Sequence, residues 1–107
     1  MIQVKATASS YTNKIYVVFD KHEYVDKYEL YRDGVKVAEY DETNQSAFAQ
    51  PTLFDHDHHT NLFKKESSHQ LMYEDADVRR YREYSYSVKY YHGDESWNTN
   101  MVHITLQ

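Results

Sequence analysis

The residues best equipped for chemistry sit in one run, Asp55-His-Asp-His-His59, in which His56 and His58 stand two positions apart. In an extended segment that spacing turns both imidazoles to one side, and neutral imidazole nitrogens bind Zn²⁺ or Ni²⁺. Two ligands do not complete a site, so a third would have to converge from His69, Asp41 or Glu66. The run reads first as a solvated acidic tip, with a metal site as its rival. His22, His69, His92 and His103 are scattered and show no partner pattern. A nucleophile needs a base and an orienting acid within reach, and neither a Gly-x-Ser-x-Gly elbow, a phosphate loop nor a metalloprotease helix signature occurs. An enzyme is not expected, and no cofactor is implied.

Aromatic side chains are the second chemical resource: twelve Tyr, four Phe and one Trp in 107 residues. If Leu30 and Tyr84 point inward, then Tyr16, Tyr31 and Tyr91 point outward, and Trp97 falls at the tip of a loop spanning 92–100. Exposed rings stack on a polysaccharide or anchor a protein partner; they also simply cover sheet surface. Asn44-Gln-Ser46 fits a glycosylation acceptor by pattern alone.

The elements that must position these residues are strands. From Tyr84 to Tyr91, large residues at 84, 86, 88 and 90 alternate with small or polar ones at 85, 87 and 89, the period of a strand with one buried face. Ile2, Val4, Ala6 and Ala8 form a first, edge-like strand. Ile15-Tyr-Val-Val-Phe19 is apolar on both faces and more central; its inner face should meet Tyr86 and Val88. Residues 21–27 are charged and loop-like. Residues 28–32 and 35–39 flank Asp33-Gly34, a dipeptide that tolerates positive φ, so they should pair as a hairpin. Residues 70–73 and 101–106 read as two further strands. Between the hairpin and residues 70–73, residues 40–68 lose the alternation and hold the single proline, Pro51; the apolar pairs Leu53-Phe54 and Leu62-Phe63 suggest a local hairpin tipped by the histidine run.

Length and composition bound the rest. The chain fits one domain, 1–107, with a single core. It has no cysteine, so disulfides and thiolate metal sites are excluded. A formal charge of −5, with Arg79-Arg80-Tyr81-Arg82 as the one dense basic cluster, argues against a nucleic-acid partner. No apolar run approaches the roughly 20 residues of a membrane span, so no membrane partner is expected, and the first residues carry no export signal.

The strand order carries a resemblance. Ile15-x-Val17-x-Phe19-Asp20, Tyr28-x-Leu30-Tyr31-Arg32-Asp33-Gly34, Tyr73-x-Asp75-x-x-Val78 and Tyr84-x-Tyr86-x-Val88 resemble a fibronectin type III domain of the kind common in bacterial multidomain proteins. The resemblance covers roughly three-quarters of the chain and implies a seven-stranded antiparallel β-sandwich, immunoglobulin-like in architecture. It places Phe19 at the family's second-strand aromatic, Asp75 and Val78 at its Asp and Leu before the turn, and Tyr84 at its tyrosine corner, with the hydroxyl bonded to nearby main chain. Two departures are Arg80-Tyr81 in place of the usual Pro-Gly, and the long insertion at 40–68 between the fourth and fifth strands. The function implied is that of a non-catalytic accessory module that spaces or docks a neighbouring domain in a larger, secreted or cell-surface protein. The alternatives are a carbohydrate- or protein-binding module using the exposed aromatics, and metal binding at His56 and His58.

Overall fold

The alternation across 84–91 becomes a ten-residue strand, β6 (Glu83–His92), with Tyr84, Tyr86, Val88 and Tyr90 buried and Ser85, Ser87, Lys89 and Tyr91 half-buried on the other face. The computed structural model describes residues 2–41 and 69–107. Among them the other strands are β1 (Val4–Ser9), β2 (Lys14–Asp20), β3 (Lys27–Arg32), β4 (Val35–Asp41), β5 (Gln70–Asp75), β7 (Glu95–Asn98) and β8 (Val102–Thr105). They form two antiparallel sheets packed face to face: β1-β2-β5, and β4-β3-β6 with β7 and β8 along the far side of β6.

Seven strands were expected and eight are present among the described residues, because the last is broken. Glu95–Asn98 pairs with 89–92 of β6 and Val102–Thr105 pairs with 83–86, the two registers differing by one residue. Thr99 bridges the break: its N–H donates to the Val88 carbonyl and its hydroxyl accepts from the Val88 N–H, both at 2.9 Å. An extra residue of this kind is a bulge on an edge strand. Residues 92–100 are therefore not a loop. The β6–β7 connection is the two residues Gly93-Asp94, with Gly93 at φ 58. The β3–β4 connection is Asp33-Gly34, at φ 53 and 81, the geometry whose twist matches a hairpin.

The core lies between the sheets. Ile15, Val17, Phe19 and Leu71 face Tyr28, Leu30, Tyr84, Tyr86, Val88 and Tyr90, and Ile2 and Leu106 close the ends. Burying each of these side chains stabilises by about 1.5–3 kcal/mol. Strand β2 is covered on both faces, since Tyr16 and Val18 join Met72 in a second buried cluster.

Strands β1 and β8 lie side by side and run the same way. At one end the Asn100 amide clasps Val4, accepting from its N–H at 2.8 Å and donating to its carbonyl at 3.1 Å. At the other, Arg80 donates to the carbonyls of both Ser10 and Gln107. The start of β1, residues 21–26 and the β6–β7 turn thus share an upper pole. The turns at 10–13, 33–34 and 76–82 share a lower pole with Gln107. The candidate metal ligands His56 and His58, the hairpin expected over residues 53–63 and the acceptor pattern at Asn44 all fall outside the described residues.

Candidate functional site

The upper pole carries an aromatic corner that starts from the β6–β7 hairpin. The tight Gly93 turn sets Trp97 opposite Tyr90, and the two rings stack with centroids 5.6 Å apart. Tyr24, from the connection between β2 and β3, meets Trp97 at 6.5 Å and 80°, nearly perpendicular. Tyr24 is 49% exposed and Trp97 38%. The groove they make with Tyr90 and Asn98 has a volume of about 440 Å³. The Tyr24 segment is tied down on several sides. The Asp26 N–H donates to the Tyr91 carbonyl and the Gly93 N–H to Asp26 Oδ2, both at 2.7 Å, while His92 Nδ1 lies 2.6 Å from the Tyr24 carbonyl. The buried Tyr28 hydroxyl accepts from the His22 N–H at 2.8 Å. Burial pushes the Tyr28 phenol up to about 12, partly offset by that bond.

Tyr31 and Tyr91 stand elsewhere, on the outer face of the five-stranded sheet, because odd-numbered residues of β3 and β6 turn away from the core. Between them lies Glu29, a buried carboxylate. Tyr91 donates to Glu29 Oε1 at 2.6 Å and Tyr31 at 2.9 Å; Lys36 Nζ reaches Oε2 at 3.3 Å and Lys27 Nζ at 3.6 Å. Lys27 and Lys89 also lie over the Tyr91 ring, 4.5 and 5.3 Å from its centroid. Burial alone would raise the Glu29 carboxyl, but the bonds from Tyr91, Tyr31 and Lys36 and the Lys36 charge outweigh it and hold the carboxyl at about 2. The same bond, with a smaller contribution from burial, pushes the Tyr91 phenol up to about 12. Both hydroxyls thus donate to the same oxygen of one buried carboxylate.

A second polar centre joins the two sheets. Asp75 of β5, 1% exposed, receives Arg32 of β3 on both oxygens at 3.0 and 2.8 Å and the Tyr86 hydroxyl of β6 at 2.7 Å. Burial, then the bond to Asp75, pushes the Tyr86 phenol well above its usual value. Nearby, the buried Tyr84 hydroxyl accepts the Arg79 N–H at 2.7 Å, and the Arg82 guanidinium lies over the Tyr84 ring, 4.8 Å from its centroid. Val78 is half-buried against the core, and Phe19 meets Tyr28 at 5.4 Å. A lower-pole cleft of about 620 Å³ runs past Arg32, Asp33, Asp77, Arg79 and Arg82. Its charges are largely matched internally, Arg82 with Asp33 and Arg32 with Asp77, both at 3.2 Å.

The four aromatics singled out in the sequence thus occupy three places. Tyr16 is 3% exposed, its hydroxyl donating to Thr12 Oγ1 at 2.9 Å, because the outer face of β2 is covered as well as the inner. Tyr31 and Tyr91 share Glu29. Trp97 lies in a strand, not at a loop tip, and its partner is Tyr24, which sequence reasoning passed over inside a charged segment. Among the described residues no three His, Asp or Glu side chains are grouped to hold a metal ion. Comparison with models of known families, with curated proteins and with solved structures gives no match.

Proposed function

We propose that the chain is a non-catalytic accessory module of the fibronectin type III kind, spacing or docking a neighbouring domain in a larger protein. The observation that carries this reading is the placement of the outer strands. β1 and β8 run the same way side by side, so chain leading into β1 arrives at the upper pole and chain following β8 departs from the lower one. A module built this way adds its length between its neighbours. The two packed antiparallel sheets, of three and five strands, the Tyr84 hydroxyl bonded to the main chain before β6, and the Asp75 carboxylate anchored beneath the turn support the finer family assignment. The test is a tandem of two copies joined without an added linker. Small-angle scattering should give a maximum dimension close to twice that of the single chain; a tandem folded back into a particle little longer than one copy would reject the spacing role.

A further inference from the structure

We propose that the upper pole binds a basic peptide segment of a partner protein, with an arginine or lysine side chain seated in the aromatic corner of Tyr24 and Trp97. The ring faces of Tyr and Trp are negative and attract a guanidinium or ammonium group within about 6 Å. Here two such rings stand nearly perpendicular, edge to face, and line one groove together with Tyr90, which stacks on Trp97, and Asn98.

The charge around the groove has the matching sign. Residues 20–26 and 92–95 contribute five exposed carboxylates, Asp20, Glu23, Asp26, Asp94 and Glu95, against one ammonium, Lys21. Lys21 is occupied by the Tyr40 hydroxyl at 3.1 Å and the Tyr40 ring, and Lys27 is turned to Glu29 on the outer face. Glu23, Asp94 and Glu95 have no ionic partner among the described residues. Such a field steers a cationic segment inward and disfavours an acidic one. The corner is also preorganised, because the bonds at Asp26, Gly93 and His92 hold the Tyr24 segment in place before any ligand arrives. The inference is independent of the spacing role: either can fail while the other stands.

Trp97 is the chain's single tryptophan, so its fluorescence reports on this groove alone. The probe is a short peptide alternating glycine with arginine, compared with the same peptide carrying citrulline, which keeps the shape and removes the charge, and with neutral oligosaccharides. The arginine peptide should change Trp97 emission saturably and bind more weakly as salt is added. Tyr24→Ala, at an exposed position where folding is readily checked by circular dichroism, should weaken binding by about tenfold, and Tyr24→Phe should retain it. Equal binding by Tyr24→Ala would mean that the carboxylates act alone, and the inference would fail. It would fail equally if citrulline peptide or oligosaccharide saturated the signal, or if no probe changed it.

Discussion

Burying Glu29 on the outer face of a sheet is tolerable because several donors converge on its carboxylate, and that convergence sets how the fold responds to acid. Its folded value of about 2 lies below the ordinary 4.5, so the stabilisation it contributes is fully present above pH 4.5 and drains away as pH falls toward 2. Glu29→Gln should destabilise by about 1–3 kcal/mol near neutrality, since it weakens charge-assisted bonds, and the gap from wild type should shrink as pH falls through that window. Denaturant titrations at a series of pH values measure this; a gap that stayed constant down to pH 2 would show that the charge is immaterial. Asp75 is a different case, because it ties Arg32 and Tyr86 across the two sheets. Asp75→Ala should cost about 3–5 kcal/mol by leaving a guanidinium and a buried hydroxyl without their acceptor. Urea unfolding would contradict this if the loss were under about 1 kcal/mol.

At the scale of elements, two turns present the same backbone problem solved differently. Gly93 takes φ 58 in the β6–β7 hairpin without steric penalty, whereas Tyr81 takes φ 68 in the turn before β6 with a side chain 77% exposed. A left-handed conformation costs a non-glycine residue roughly 1–2 kcal/mol, and glycine loses roughly 0.5–1 kcal/mol more in entropy than alanine where that freedom is not needed. Gly93→Ala should therefore destabilise by about 1 kcal/mol, although open space surrounds the position. Tyr81→Gly should be neutral to stabilising by up to about 1 kcal/mol. Thermal melts of the pair test the sign; a marked loss in Tyr81→Gly would mean that the exposed ring holds the turn by contact. The broken β7–β8 edge belongs to the same scale. The bulge at Thr99 lets Trp97 follow the register of the hairpin while Ile104 follows that of Tyr84.

At the scale of the whole molecule, the described residues share one continuous core between the sheets, supplemented by the Tyr16–Val18–Met72 cluster beyond β2. Phe19 is its most telling member because it packs on Tyr28 and sits opposite both Val4 and Leu71. Phe19→Ala should lose roughly 3–5 kcal/mol through transfer and cavity terms, out of a total near 5–15 for a domain of this size. Chemical denaturation should show the drop in midpoint with an unchanged slope. A loss below about half a kcal/mol would remove Phe19 from the core. The poles differ in charge character: the upper is acidic and aromatic, whereas the lower holds arginines matched by aspartates, so ionic strength should act mainly at the upper end.

What the sequence determined by itself was local: which residues of each strand share a face, and where the chain can reverse. Period two in 84–91 and the five apolar residues 15–19 specify burial because side-chain direction alternates along any strand, and Asp33-Gly34 specifies a reversal through the φ these residues accept. The Gly93-Asp94 pair carried the same signal, obscured by the polar run that follows it. Tertiary structure alone decided which outward groups meet. Tyr91 reaches Glu29 from 62 residues away, and Tyr24 of the β2–β3 connection finds Trp97 of β7. Tyr16 is buried because the far face of its sheet is covered. Such meetings depend on sheet order, on register and on what lies over each face, and alternation within a strand is blind to all three.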